Sequence, residues 1–477
     1  MKAICDRFVP SNCSSSSTGE KRDKSGTSLV SDSAFSDNNS DLTLCPDVGA
    51  SSSPVSQPSK EASTTSENKP DCTTHNSWTV ILKTASMASG AIRRFQERVL
   101  GPSRTGISSS TSEIWLLGVC YKISDGESSE EADSGHVLTA FGQDFSSLIL
   151  MTYRRGFEPI GDTAYTSDVN WGCMLRSSQM LFAQALLFQR LGRSWRKKES
   201  EPPEEEYLGI LELFGDSEAS AFSIHNLIQA GESYGLAAGS WVGPYAVCRS
   251  WESLVRKKSE ETDVKNKSFS MAVHIISGSE DGERGGAPIL CIEDVTKTCV
   301  EFSEGETEWT PVLLVVPLVL GLDKVNPRYL PSLIATFTFP QSLGILGGKP
   351  GASTYIVGVQ EDKGFYLDPH DVQQVVTVNK ENRDVDTSSY HCNTPRYVPL
   401  ESLDPSLALG FYCPDKADFD DFCIRATKLA GESNGAPLFT VTQSHRRNDC
   451  GIADSSSIVT STEFSGEEEH EDDWQLL

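Results

Sequence analysis

Long apolar runs are missing from this sequence. The most hydrophobic stretch, Val312 to Leu322, is too short to cross a bilayer and is interrupted by Pro317, so it reads as a core strand. The N-terminal residues lack the apolar centre of a secretion signal. Positive charge is scarce: 41 lysines and arginines stand against 67 acidic residues, a formal net charge of −26. That balance excludes nucleic acid as a natural partner, because its phosphates need a basic face. The basic run Arg193 to Lys198 follows a helix end and reads as a solvated turn. Thirteen cysteines are present, but at irregular spacings and without a Cys-x-x-Cys pair, so a reduced, cytoplasmic protein is expected. The eight histidines fall at no helical ligand spacing, so neither a metal nor a cofactor is expected. No glycine cluster has phosphate-loop spacing, and internal repeats are absent.

What is present divides the chain into three. Residues 1–111 are rich in Ser, Thr, Asn, Asp and Lys and cannot bury a core, so disorder is expected there apart from a short helix around Ala85 to Val99. Residues 112–440 mix helical and strand patterns and form one α+β domain, with a polar surface insertion at 257–286. Residues 441–477 make a flexible acidic tail with runs such as Glu467-Glu468-Glu469.

Within the central domain, the loop Thr166 to Gly172 delivers Cys173 to the first turn of a strongly apolar helix that ends at Gly192. The partial positive charge of a helix N-terminus lowers a thiol pKa, and Gly172 lets a substrate backbone approach. A thiolate nucleophile needs a base. Thr354 to Val359 reads as a strand, Glu361 to Gly364 as a tight turn and Phe365 to Leu367 as the return strand, which runs into Asp368-Pro369-His370. Pro369 biases Asp368 towards an extended conformation, so the carboxylate and the imidazole project in a defined relation from the strand end. A cysteine at a helix start, followed far downstream by a histidine on a sheet, is the chain order of papain-like peptidases.

The same residues resemble a known family. Trp171-Gly172-Cys173-Met174-Leu175-Arg176, then Gln179-Met180 and Phe182-Ala183-Gln184-Ala185-Leu186, are similar to the signature of the autophagins, the cysteine peptidases of autophagy. Ser342-Leu343-Gly344, Gly347-Gly348-Lys349-Pro350 and Tyr366-Leu367-Asp368-Pro369-His370 belong to the same likeness, which runs from about Trp115 to about Phe439. The resemblance implies a papain-like fold, with the nucleophile-bearing helix packed on an antiparallel sheet. It also implies a substrate: a ubiquitin-like autophagy modifier, cleaved after its C-terminal glycine and released from phosphatidylethanolamine, so that membrane contact comes only through the lipidated form.

Carried onto this chain, the resemblance makes Cys173 the nucleophile, Asp368 and His370 its catalytic partners, and Tyr153 an oxyanion donor. It makes Trp241 a cover over the cysteine and the loop holding Phe339-Pro340-Gln341-Ser342 a second element of the gate, with Pro340 at its centre. It also sets Gly347-Gly348-Lys349 beside the active site. The terminal Trp474-Gln475-Leu476-Leu477, preceded by acids, resembles a strand-like motif that docks onto such modifiers through Trp474 and Leu477. A related deubiquitinase would share the triad, and an inactive scaffold would bind the modifier without cutting it.

Overall fold

The computed structural model describes residues 104–107, 112–122, 130–198, 201–261, 271–278, 286–303, 305 and 309–444. The helix expected around 85–99 and the acidic tail with Trp474 and Leu477 lie outside the described residues. In chain order the elements are β1 (Arg104–Thr105), β2 (Ile114–Leu116), β3 (Val119–Tyr121), α1 (Glu130–Ser146), β4 (Tyr153–Arg155), α2 (Cys173–Arg190), α3 (Glu205–Leu213), α4 (Ile224–Ala230) and α5 (Pro244–Glu261). They continue with β5 (Ala272–Ile275), β6 (Ile289–Cys291), α6 (Ile292–Phe302), β7 (Val312–Val319), α7 (Leu330–Thr336), β8 (Ser342–Gly347), β9 (Thr354–Gln360) and β10 (Lys363–Leu367). The last are β11 (Val372–Gln374), β12 (Arg396–Pro399), β13 (Ser406–Cys413), α8 (Lys416–Glu432) and β14 (Thr440–Thr442).

Ten strands form one sheet in the order β1-β12-β10-β9-β8-β13-β7-β5, with β2 on β9 and β3 on β2. All its pairings are antiparallel except β5 with β7. Strand alternation divides the apolar residues between the two faces. Leu313, Val315, Ala408 and Tyr412 join the core that holds α2, whereas Leu314, Val316, Leu407, Leu409 and Phe411 join a second core under α8. Pro317 is tolerated inside β7 because β5 pairs only as far as Val315, which leaves the strand open on that side.

Helix α2 is buried over its whole Cys173–Leu187 length. Strands β8 and β9 flank it on one side and α3 and α5 on the other. Phe182 stacks on Trp251 of α5 at 3.8 Å, and the Trp251 indole N–H donates to Ser178 Oγ at 2.9 Å. Gly410 of β13 lets Leu181 come close, since a Cβ there would fall 2.9 Å from its Cδ1. Each such apolar side chain contributes about 1.5–3 kcal/mol on burial, so Cys173 stands on a rigid base.

The 257–286 span is not one surface insertion. Residues 257–261 complete α5, and Ala272–Ile275 forms β5, with Met271 and Ile276 buried beside it. The apolar run Met271 to Ile276 supplies a sheet-edge strand inside otherwise polar sequence. Among the described residues, no helix is long and apolar enough to cross a membrane.

Candidate active site

Asp168 organises the loop that presents Cys173. Its main-chain oxygen accepts from Gly172 N at 2.8 Å and Trp171 N at 3.2 Å. Its carboxylate accepts from Arg154 N at 2.7 Å and Arg176 Nε at 2.8 Å, and Arg176 donates onward to Asp216 at 2.7 Å. Burial works against the Arg176 charge, but the two carboxylates more than offset it and hold the guanidinium protonated. Gly172 is needed here for a reason the sequence did not show: a Cβ at that position would meet Asp168 Oδ2 at 2.5 Å. Gly172 is the N-cap, so Cys173 opens the helix and its own amide has no partner within it.

The β9–β10 hairpin supplies the other half. Its turn carries Glu361 at φ +56°, and a bulge between Phe365 and Tyr366 re-aims the end of β10. From there His370 Nδ1 pairs with Asp368 Oδ1 at 2.6 Å, and Arg396 donates to Asp368 Oδ2 at 2.8 Å. Burial would raise Asp368, but the His370 and Arg396 charges bring its carboxyl down to about 2. Burial would lower His370, but Asp368 raises the imidazole to about 10. For Cys173, burial is outweighed by the neighbouring His370 imidazole, with a smaller contribution from Ser353, and the thiol falls to about 7. The result at neutral pH is a thiolate–imidazolium pair.

Strand β4 joins the two halves. It pairs in parallel with β11, and Tyr153 N donates to Pro369 O at 2.8 Å, while the next amide, that of Arg154, is held by Asp168. The Tyr153 ring meets the His370 ring edge-on at 5.4 Å. Burial and the neighbouring Cys173 and Asp168 charges raise its phenol well above the ordinary value, so it remains a donor. Tyr153 Oη and His370 Nε2 are buried without a hydrogen-bond partner, although both couple to Cys173. Unspent polar groups of this kind are expensive unless a reacting atom uses them.

Trp241 is brought to the same place: its indole N–H donates to Ser353 Oγ at 3.2 Å. Pro340 is not. It is exposed at the Ser342 end of β8, beside Gly118, whereas the end of that strand that leads into the Ser353 turn is Gly347, paired with Thr354. Six residues of strand, roughly 16 Å at about 3.3 Å per residue, separate the two ends. The turn beside the cysteine is therefore 348–353, and Phe339 packs instead with Phe411 and Phe422 in the second core.

Sequence reasoning did not assign Asp168, Arg176, Asp216, Ser353 or Arg396. Arg176 carried a signal, since a guanidinium on an apolar helix demands a buried carboxylate. Arg396 and Ser353 carried none, because they arrive through strand register and turn shape. Among the described residues, no group of three His, Cys, Asp or Glu side chains is placed to hold a metal ion.

Residues 138–425 match the peptidase C54 catalytic domain, a span that contains every element of this arrangement. The chain belongs to that family. It is a cysteine-type peptidase of the papain-like clan. It is 88% identical over 479 residues to cysteine protease ATG4b of Arabidopsis thaliana, across 100% of both chains. Cysteine protease ATG4a of the same plant is 72% identical over 480 residues, again across 100% of both. Cysteine protease ATG4A of Gallus gallus is 35% identical over 357 residues, 70% of this chain and 86% of its own. The C54 match stops before the acidic tail.

Proposed function

We propose that Cys173, His370 and Asp368 are the catalytic triad of this C54 peptidase. We further propose that it cleaves a ubiquitin-like autophagy modifier after its C-terminal glycine, in the cytoplasm, and frees the same modifier from phosphatidylethanolamine. The observation that carries the reading is a thiol brought to about 7 by an imidazole that Asp368 orients. The Cys173 thiolate attacks the glycine carbonyl carbon, and the π electrons move onto oxygen. The Cys173 amide and the Tyr153 hydroxyl stabilise that oxyanion. On collapse, the C–N bond breaks and His370 gives its proton to the departing amine. Water, deprotonated by His370, then hydrolyses the thioester. The departing amine is a peptide N-terminus in one reaction and the phosphatidylethanolamine headgroup in the other. Both bonds are glycyl amides, so one site serves both.

Two features support a protein substrate with a narrow end. Cys173 is fully buried, with Trp241 and the 348–353 turn beside it, which favours residues without side chains. Val319 is 75% exposed and Leu322 96% exposed, next to the same end of the sheet, where Lys349 Nζ donates to Asp323 O at 3.1 Å. These are the apolar contacts a folded modifier would cover. Trp474 and Leu477 would add a second attachment, and alanine at both should weaken capture of the lipidated modifier without changing turnover of a short peptide.

The deciding experiment incubates full-length enzyme and Cys173→Ala with modifier precursors, a ubiquitin fusion and phosphatidylethanolamine-conjugated modifier. Wild type should cut only the autophagy modifiers, and Cys173→Ala should bind without cutting. Cleavage of the ubiquitin fusion would favour a deubiquitinase, and no cleavage by wild type a scaffold.

A further inference from the structure

Arg154 of β4 is a buried guanidinium, 1% exposed, that the triad does not use. Strand alternation turns its side chain to the face opposite Tyr153. There Nη1 donates to Gln374 O at 2.9 Å and to Ser389 Oγ at 3.0 Å, and Cζ lies 4.6 Å from the centre of the Tyr390 ring. Leu150 N donates to Tyr390 O at 2.8 Å, so the guanidinium rests on a segment that is itself tied to the residues entering β4. Nη2 is buried without a hydrogen-bond partner, and the carboxylates of Asp168 and Asp216 pair with Arg176 instead. A buried cation of this kind is costly, and a methionine of similar length would avoid the cost, which directs attention to the segments that the guanidinium ties together.

Those segments place Tyr153. Strands β4 and β11 form a parallel ladder of three residue pairs, Tyr153 with Val372, Arg154 with Gln373 and Arg155 with Gln374. A two-stranded ladder of that length is too weak to fix its own register, and a slip of one residue would turn Tyr153 to the other face. Main-chain bonds hold its two ends, Tyr153 N to Pro369 O at 2.8 Å and Val375 N to Arg155 O at 3.1 Å. We infer that Arg154 is a positioning residue that clamps β4 onto β11 in the register that sets the Tyr153 ring edge-on to His370. The inference rests on the reading of Tyr153 as an oxyanion donor. Such a donor works only when aimed at the place where charge develops, and a displacement of about 1 Å costs on the order of a hundredfold in rate. The contacts of the guanidinium are with Gln374, Ser389 and Tyr390, so it acts through where it puts Tyr153.

The test is a double-mutant cycle in the full-length protein, with kcat and KM measured on a modifier precursor. Tyr153→Phe should lower kcat about a hundredfold. Arg154→Met should lower kcat about ten- to a hundredfold and leave KM within about twofold of wild type. Arg154→Lys, which keeps a donor and a cation over Tyr390, should recover part of that loss. The decisive arm combines Tyr153→Phe with Arg154→Met. Its kcat should match that of Tyr153→Phe alone, because a ring without its hydroxyl loses nothing more by being misplaced. An arginine that merely supports the fold would cost the same factor in both backgrounds, and that result overturns the inference, as does a wild-type kcat in Arg154→Met. Should Arg154→Met fail to fold, Arg154→Lys in the same two backgrounds decides, an equal loss in both or no loss in either overturning the clamp. Failure of the underlying reading shows elsewhere in the same experiment. A wild-type kcat in Tyr153→Phe removes the oxyanion donor and this inference with it, and a precursor left uncut by wild type removes both through the proposed function.

Discussion

Arg396 donates to Asp368 Oδ2 at 2.8 Å, while Oδ1 pairs with His370 Nδ1 at 2.6 Å and accepts from the His370 main-chain N–H at 3.2 Å. The carboxylate is thus held from both sides, and the imidazole ring follows its plane. Charged hydrogen bonds of this kind are worth about 1.5–3 kcal/mol, or roughly 10–100-fold in rate. Arg396→Ala should lower kcat on a modifier precursor by about that factor with little change in KM, and Arg396→Lys should recover part of it. A wild-type kcat in Arg396→Ala would make the arginine a spectator.

The pH profile follows from the same pair. The Cys173 thiol is lowered to about 7, so kcat/KM should rise through that pH as the thiolate forms. His370 is raised to about 10, so activity should fall again as pH approaches that value and the imidazolium proton needed by the leaving amine is lost. The stability effects have opposite signs. The raised His370 contributes fully below its unfolded value and loses that contribution as pH climbs to about 10, whereas the lowered Asp368 loses its contribution as pH falls to about 2. A kcat/KM profile flat between neutral pH and mild acid would contradict the thiolate assignment.

Much of this site was legible because its parts are local in sequence. The Cys173 helix announces itself through an apolar run that Gly192 closes at φ +82°, and the hairpin through its Asp-Pro-His exit and a turn expected over Glu361 to Gly364 that the structure tightens to Glu361-Asp362. Residues brought in by register were invisible: Arg396 reaches Asp368 only because β12 pairs with β10, opposite Tyr366. The polar 257–286 span concealed β5, since a four-residue edge strand is too short for its pattern to outweigh its surroundings. Pro340 was misplaced for a related reason. A strand has two ends, and nothing in Phe339 to Ser342 itself says which one faces the cysteine.

Arg176 sets up a stability prediction. It lies between Asp168 and Asp216 with all three side chains buried, so removing the guanidinium leaves two carboxylates without their counter-charge. Breaking a buried pair from one side costs about 3–5 kcal/mol. Arg176→Met should lower the urea midpoint accordingly and reduce activity through the displaced Cys173 loop. A midpoint close to wild type would show that Asp168 and Asp216 protonate at little cost and that the network is not structural.

The cover over the cysteine yields the last prediction, now centred on Trp241 and the 348–353 turn. Cys173 is fully buried in this conformation, so the substrate must part the indole from Ser353 to reach it. A glycine backbone slips between two surfaces with the least displacement, and a methyl group forces them further apart. Replacing the modifier's last glycine with alanine should therefore cost wild type far more in kcat/KM than it costs Trp241→Ala, whose wider slot tolerates the methyl. The comparison is internal, so a general loss of activity in the variant cancels from the ratio. Equal alanine penalties in both enzymes would move the glycine filter away from the indole.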